Sequence, residues 1–431
     1  MPVSPPSEAD LRLSAQLSGD LDEEDSRARL RVRWLRDGQV ELVASSWVGV
    51  VRFASFDVHV QPKYVGGPLG VLQMLQYSSG VQMLRRLPSN RPLPADGSDL
   101  FDLICLLLTE EVHALLRDGL LRNYRAVEDT LPVLRGRLRT KEQYLRRYGQ
   151  VDQLECSFDE YDADTPENQF VAAAMNVARQ RARDPGVRRD ANRLGGILTE
   201  SCTPPSMDAA WYEQRISYDR RNLRYRPAHE LAALVLTGTA FKDLFDTSSG
   251  SVGAFLLDMN TIFEKFITRL VQQAFADTDY SVDSQAPIRA VIRDDATGRS
   301  YTTIRPDLVI TSPTGRTVPV DVKYKLYENR RLSTADLYQA FTYAYALGQG
   351  EAQPHAGIIY PAHTFTTAPT LSIKPLHAQL ASRIIGTGID VPTALALLAD
   401  PEHNDLLTRV RNLVTTMIAE VRTTTVGIPP V

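Results

Sequence analysis

The 431-residue sequence predicts a multi-domain α/β protein, and three patterns carry that prediction. Strand-like alternation fills the chain up to about residue 65, amphipathic helical periodicity dominates the middle, and helical and β-like runs alternate beyond residue 252. The expected division is a β-rich domain over 1–95, a helical domain over 96–240 and an α/β domain over 241–431. A hydrophobic content of 43% with 23% charged residues suits packed cores and not a disordered chain.

Taken in order, the first ten residues, with Pro2, Pro5 and Pro6, read as a frayed terminus. The run ARLRVRWLRDGQVELVAS sets an Asp37-Gly38 hairpin signal between two alternating stretches, and WVGVVRFASFDVHVQPKY continues the strand pattern. GPLGVLQMLQYSS spaces Leu69, Leu72 and Leu75 as a helix does. A loop rich in Pro, Asn and Gly over 87–99 leads into helices through DLFDLICLLLTEEVHALLRDGLL, PENQFVAAAMNVARQRARD and RPAHELAALVL. VGAFLLDMNTIFEKFITRLVQQAF reads as one further helix. β-like runs over 280–325, a helix over 333–347, a buried strand HAGIIYP and a helical stretch near 404–422 follow.

Several function classes are excluded or disfavoured. With 48 basic against 52 acidic residues the formal net charge is −4, so any nucleic-acid surface is local. Cys105, Cys156 and Cys202 are odd in number and lack CxxC spacing, which points away from a disulfide framework or zinc site and towards a reducing cytoplasm. The first residues lack a basic and apolar leader, and no apolar run approaches about 18 residues, so neither export nor a membrane span is expected. There is no GxxxxGK[ST], GxGxxG after a strand, HExxH or GxSxG. Any nucleotide motor belongs to a partner.

The segment TTIRPDLVITSPTGRTVPVDVKYK, 302–325, carries the strongest chemical signal. Two β-like runs flank the turn sequence Ser312-Pro313-Thr314-Gly315, so they are expected to pair as a hairpin. Pairing brings Asp307 near Asp321 and Lys323, which lie two apart and share one face. Buried charges of this kind are costly without compensation. Mg²⁺, which takes hard oxygen ligands and retains waters, would supply that compensation. Lys323 would orient a water or stabilise developing negative charge. A solvated edge strand with an Asp–Lys pair accounts for the same residues. Glu264, on the preceding helix, is within reach of such a metal or is a surface glutamate, while Gln339 and Tyr343 stand one helical turn apart. Tyr338 and Phe341 are expected in the core.

The order Glu264, Pro306-Asp307, Asp321-Val322-Lys323, Gln339-x-x-x-Tyr343 resembles the PD-(D/E)xK nuclease fold, in the version with a QxxxY helix. VGVVRFASFDVHVQPKY with LGVLQMLQY, GLLRNYRAVEDTLPVLRGRL, CSFDEYDADTPENQF and YRPAHELAALVL are similar, in order, to signatures of the McrC family, the nuclease subunit of McrBC-type restriction systems. The resemblance implies a carboxyl-terminal restriction-endonuclease-like α/β domain and a Mg²⁺-dependent endodeoxyribonuclease acting in anti-phage defence. Its partners would be double-stranded, modified DNA and an McrB-like AAA+ GTPase hexamer, on which the amino-terminal part docks and whose hydrolysis it stimulates. It further implies Asp307 and Asp321 as metal ligands, the Val322 carbonyl as a third, Lys323 as the water-orienting lysine, and Glu264 and Gln339 in secondary roles. Arg52 and Lys63 are basic positions in the matching amino-terminal segment, where a solvated strand face explains them equally. The alternatives are a non-cleaving DNA-binding adaptor of an AAA+ complex and a stand-alone nuclease.

Two basic runs complete the reading. Residues 115–150 hold nine Lys/Arg interleaved with Tyr124, Tyr144 and Tyr148, and RQRARDPGVRRDANR spans 179–193. Each reads either as a phosphate-tracking surface or as a solvated helix face.

Overall fold

The computed structural model describes residues 4–18, 28–36, 38–86, 99–239, 252–325, 327, 331–348, 354–373, 382–399 and 404–419. Asp37 of the expected hairpin turn, the loop over 87–98, the expected domain boundary at 240–241 and residues 420–422 of the last helical stretch lie outside them.

The chain runs through α1 (Glu8–Ser18), β1 (Leu30–Trp34), β2 (Val40–Ala44), β3 (Trp47–Arg52), β4 (Asp57–Val60), α2 (Gly67–Ser79), α3 (Leu100–Asp118), β5 (Asn123–Leu131), β6 (Arg137–Leu138), α4 (Thr140–Arg146), β7 (Leu154–Asp162), α5 (Pro166–Arg181), α6 (Pro185–Ser201), α7 (Ala209–Glu213) and α8 (Arg226–Gly238). It continues through β8 (Gly253–Asp258), α9 (Met259–Phe275), β9 (Ser281–Ser284), β10 (Ile288–Arg293), β11 (Ser300–Ile304), β12 (Leu308–Thr311), β13 (Thr317–Val322), α10 (Thr334–Leu347), β14 (His355–Ala362), β15 (Thr370–Ile373), β16 (Ser382–Asp390), α11 (Val391–Leu397) and α12 (Asn404–Ile418). These form two compact units. One holds residues 1–43, 49–60 and 81–257, the other 44–48, 61–80 and 258–431. Segment 61–80, which the sequence groups with the amino-terminal block, therefore belongs to the second unit.

In the first unit, β1 and β2 form a two-stranded sheet as the hairpin signal anticipates. Glu8–Ser18 is a helix and neither frayed terminus nor strand; it buries Leu13 and Leu17, and Asp10 accepts from Ser7 N and Ala54 N. The middle is not purely helical, because β5, β7 and β6 make a three-stranded sheet. Residues 253–258 form a strand beside β3, and the expected single helix begins only at Met259. Asp258 caps that helix through Asn260 N, while Ala254–Leu257 are buried. Burial from all sides, and not helical periodicity, decides such a short apolar run.

Gly49 shows how close β3 and β8 run. Its φ is 142°, and an added Cβ would stand 2.1 Å from the Phe255 carbonyl oxygen. Gly49→Ala is expected to cost about 3 kcal/mol, read as a lowered denaturation midpoint; an unchanged midpoint would show that the strands part freely.

Three of the quoted signature segments meet at Asn168, which is fully buried. Its Nδ2 donates to the carbonyls of Leu121 (2.8 Å) and Ala163 (2.7 Å), and Tyr225 Oη donates to its Oδ1 (2.7 Å). Leu121 N in turn donates to Tyr225 Oη (2.7 Å). His229 Nε2 donates to the Glu167 carbonyl (3.0 Å), leaving Nδ1 to accept from Tyr218 Oη (2.9 Å). Burial lowers its pKa to about 4, so the ring is neutral. These segments serve as the joint of the helical core.

The second unit contains a six-stranded sheet in the order β15-β16-β14-β13-β12-β9. β13, β14 and β16 are parallel neighbours, and β12, β9 and β15 join antiparallel. One face buries Ala356, Ile358, Tyr360 and Ala362 of β14 with Ala340 and Ala344 of α10. The other face meets α12, since a Cβ on Gly357 would strike Met417. Helices on both faces of a partly parallel sheet make this unit α/β. β15, β16 and α11 have no counterpart in the sequence reading.

Candidate functional site

The hairpin forms with Leu308 opposite Val320 and Thr311 opposite Thr317. One residue beyond the first pair, Asp307 faces Asp321. Asp307 Oδ2 accepts from Val322 N (2.7 Å), which locks the carboxylate to the neighbouring strand. Asp321 and Lys323 share a face as their spacing requires, with Nζ 2.9 Å from Asp321 Oδ2. Parallel pairing continues to the site, for Lys323 N donates to the Ile359 carbonyl (2.9 Å). The carboxyl ends of β13 and β14 thus present the cluster.

Burial sets its electrostatics. Asp321 is 2% exposed, and its Oδ2, though in ion contact with Lys323, takes part in no hydrogen bond of good geometry. Desolvation, followed by the Asp321 charge, raises the Asp307 pKa to about 7. Desolvation also raises that of Asp321, against the opposing pull of Lys323. Burial alone would lower the Lys323 pKa, but the Asp321 and Asp307 carboxylates outweigh it and hold the ammonium charged.

Gln285, which sequence reasoning missed, bridges two of the expected residues. Its Nε2 donates to Glu264 Oε1 (2.6 Å) and to Asp307 Oδ1 (3.2 Å), and its backbone N donates to the Asp307 carbonyl (3.0 Å). Its φ of 51° is left-handed, a costly conformation for a residue with a side chain. A strand pattern carries no signal for such a position. Glu264 reaches the cluster through this amide. Gln339 Nε2 donates to Tyr343 Oη (2.9 Å), confirming their common helix face, and Tyr343 feels the charges of Asp321, Asp307 and Lys323. Phe341 packs against the core, whereas Tyr338 is 69% exposed and not core as expected; its position on α10 faces away from the sheet.

Two further neighbours define the surroundings. Lys325 pairs with Asp336 at 2.7 Å, and Asp336 also accepts from Tyr327 and Ser333 at the start of α10. Tyr324 Oη donates to the Lys63 carbonyl (2.6 Å) and accepts from Lys63 N (3.0 Å). The backbone of Lys63 is therefore tied to the strand end that carries Lys323. Arg52 is not on a solvated strand face: its side chain is 11% exposed and paired with Asp99 at 2.5 Å.

The basic runs are partly neutralised. Arg125, Arg135, Arg139 and Arg147 pair with Asp162, Glu160, Glu128 and Glu155, and their positions lie on or beside β5, β6 and α4 instead of one long helix. In the second run Arg183 pairs with Asp57 at 2.5 Å.

Among the described residues no group of three or more His, Cys, Asp or Glu is arranged to hold a metal ion. Two carboxylates meeting beside one ammonium, with a buried Asp321 oxygen in ion contact only, suit an ion that keeps most of its waters, as Mg²⁺ does. In a chelating buffer the Asp307–Asp321 pair is expected to destabilise the fold as pH rises. Between about pH 4 and 7 the folded Asp307 holds a proton that the unfolded chain has lost, so this contribution to stability shrinks through that window. Mg²⁺ at pH 8 should therefore raise the wild-type Tm and leave Asp307→Asn unmoved. An equal rise in both would remove Asp307 from the ligand set.

The family model for the McrBC 5-methylcytosine restriction system component matches residues 42–361. The chain belongs to this family. The McrC-type signatures quoted above lie inside the matched span. Among solved structures, the chain is similar to one in a refined half-complex from a tetradecameric assembly of Thermococcus gammatolerans McrB AAA+ hexamers with bound McrC, at 18% identity and a TM-score of 0.59, covering 93% of this chain and 90% of that one. A likeness to a chain of the cryo-EM Thermococcus gammatolerans McrBC complex has 21% identity and a TM-score of 0.42, covering 61% of this chain and 76% of that one. No curated protein matches. Among the described residues of this McrBC-family chain, no helix is long and apolar enough to cross a membrane.

Proposed function

We propose that this chain is the McrC-type nuclease subunit of a restriction complex, hydrolysing a DNA phosphodiester at Asp307, Asp321 and Lys323 when docked on an McrB-like AAA+ GTPase hexamer and stimulating its hydrolysis. The observation that carries the reading is the convergence of a buried carboxylate, a half-buried one and a lysine at one end of a partly parallel sheet. That arrangement supports a PD-(D/E)xK-like fold for the second unit.

Asp307 and Asp321 would hold Mg²⁺, with the Val322 carbonyl as a further oxygen donor. When bound, the ion supplies charge neutralisation at the phosphate and lowers the pKa of water. Lys323 orients the attacking water and donates towards the oxygen on which negative charge develops. Gln285 fixes Asp307 by donating to Oδ1 and keeps Glu264 at hydrogen-bonding distance behind it. Gln339 and Tyr343 stand near the site as a hydrogen-bonded pair, Tyr343 within the field of its three charges. The partner reading is supported by family membership and by the structural likeness to a complex that contains McrB AAA+ hexamers.

Methylated and unmodified plasmid incubated with this chain, its AAA+ partner, nucleotide and Mg²⁺ test the proposal. Cleavage is expected only when all components are present. Stimulated nucleotide hydrolysis without any cleavage would identify a non-cleaving adaptor instead.

A further inference from the structure

In the first unit, a pocket lies where the end of β3, the start of β8, the start of α3 and the end of α5 meet. It is lined by Arg52, Phe101, Arg181, Thr239 and Gly253 among others, with about 320 Å³ of empty space including its mouth. We infer that this pocket is a binding site for a small tetrahedral oxyanion of the phosphate class, gripped by Arg52 and Arg181.

Arg52 is held rigidly. One terminal nitrogen pairs with Asp99 at 2.5 Å, the other donates to the Arg181 carbonyl, and the guanidinium carbon stands 5.9 Å from the Phe101 ring centroid. Its Nε is buried without an acceptor. A buried N–H left in that state costs on the order of 1–3 kcal/mol.

Arg181 has no ion-pair partner among the described residues. Among these residues its guanidinium donates to the Ala254 carbonyl alone, at 3.5 Å. The acids nearby are committed, Asp99 to Arg52 and to Phe101 N, and Asp102 to the backbone N–H groups of Arg183 and Asp184. Desolvation, then repulsion from Arg52, lowers the Arg181 pKa, and no carboxylate opposes the shift. Among the described residues, two guanidinium groups thus face one pocket with one paired carboxylate, that of Asp99.

Gly253 lets the Arg181 guanidinium lie against the backbone at the pocket wall, since a Cβ there would come within 3.2 Å of its terminal nitrogen, and the pocket beside it is the space open to an anion. Planar N–H forks match the oxygens of a tetrahedral oxyanion better than they match a halide or a single water. The same chemistry is offered by free phosphate and by a nucleic-acid phosphodiester.

Calorimetric titration of the full-length chain with inorganic phosphate, at constant ionic strength against chloride, tests the site. Wild type is expected to bind one phosphate per chain with a Kd of about 1 mM or tighter. Arg181→Met should weaken binding at least tenfold, and Gly253→Ala, which keeps both charges but displaces the Arg181 guanidinium from its seat, should do the same. Melting curves of each variant establish that it is folded. Absence of a saturable heat in wild type, or equal binding by the folded variants, would overturn the inference. A dithymidine phosphodiester added as competitor separates the sources: displacement of phosphate assigns the site to nucleic acid, and lack of displacement assigns it to the free anion.

Discussion

Lys323→Ala is expected to lower DNA cleavage by about a thousandfold while partner nucleotide hydrolysis stays at the wild-type level. Removing a single group that stabilises developing charge typically costs this much. Lys323 is the ammonium in contact with Asp321, held charged by two carboxylates in a buried setting, so no exposed lysine can take its place. Lys325 supplies the control. It lies two residues further on, but its ammonium is engaged by Asp336 at 2.7 Å and 3.0 Å. Lys325→Ala should change cleavage less than tenfold. Single-turnover rates on plasmid, with the AAA+ partner saturating, distinguish the two. Equal loss in both variants would mean that the lysines act through α10 and not through the reacting phosphate.

Asn168→Ala is expected to destabilise the first unit by about 4 kcal/mol. The side chain joins Leu121, Ala163 and Tyr225; alanine would remove all three bonds and open a gap in the core, leaving the Ala163 carbonyl only Thr165 N and the Tyr225 hydroxyl only Leu121 N. Asn168→Asp removes the two donated bonds and adds a buried charge, so it should be at least as damaging. Urea denaturation followed by tryptophan fluorescence measures the change; a shift below about 1 kcal/mol would show that water replaces the amide freely. This position lies inside one of the family signatures, and its effect is expected on folding and not on cleavage chemistry.

The candidate site was readable largely because its principal parts are local in the chain. A turn sequence, a two-residue spacing and a four-residue helical spacing place Asp307, Asp321, Lys323, Gln339 and Tyr343 by geometry that depends on neighbours alone. Where the prediction failed, distant packing was decisive. Ala254–Leu257 became a strand because β3 lies beside them, and Glu8–Ser18 became a helix through its buried leucines. The strand Ser382–Asp390 is buried along most of its length, yet its sequence SRIIGTGID sets Ser, Arg, Thr and two Gly among three Ile and so carries no strand period.

The amino-acid sequence by itself determined the family, the α/β class of the carboxyl-terminal part and the hairpin that brings the acids together. Tertiary structure alone decided that Gln285 bridges Glu264 and Asp307, that Lys325 is engaged by Asp336, and that Arg52 is buried beside Arg181 instead of exposed on a strand. The physical reason is range. Turn chemistry and side-chain periodicity act over a few residues, whereas desolvation and charge compensation depend on which distant segments the folded core brings into contact.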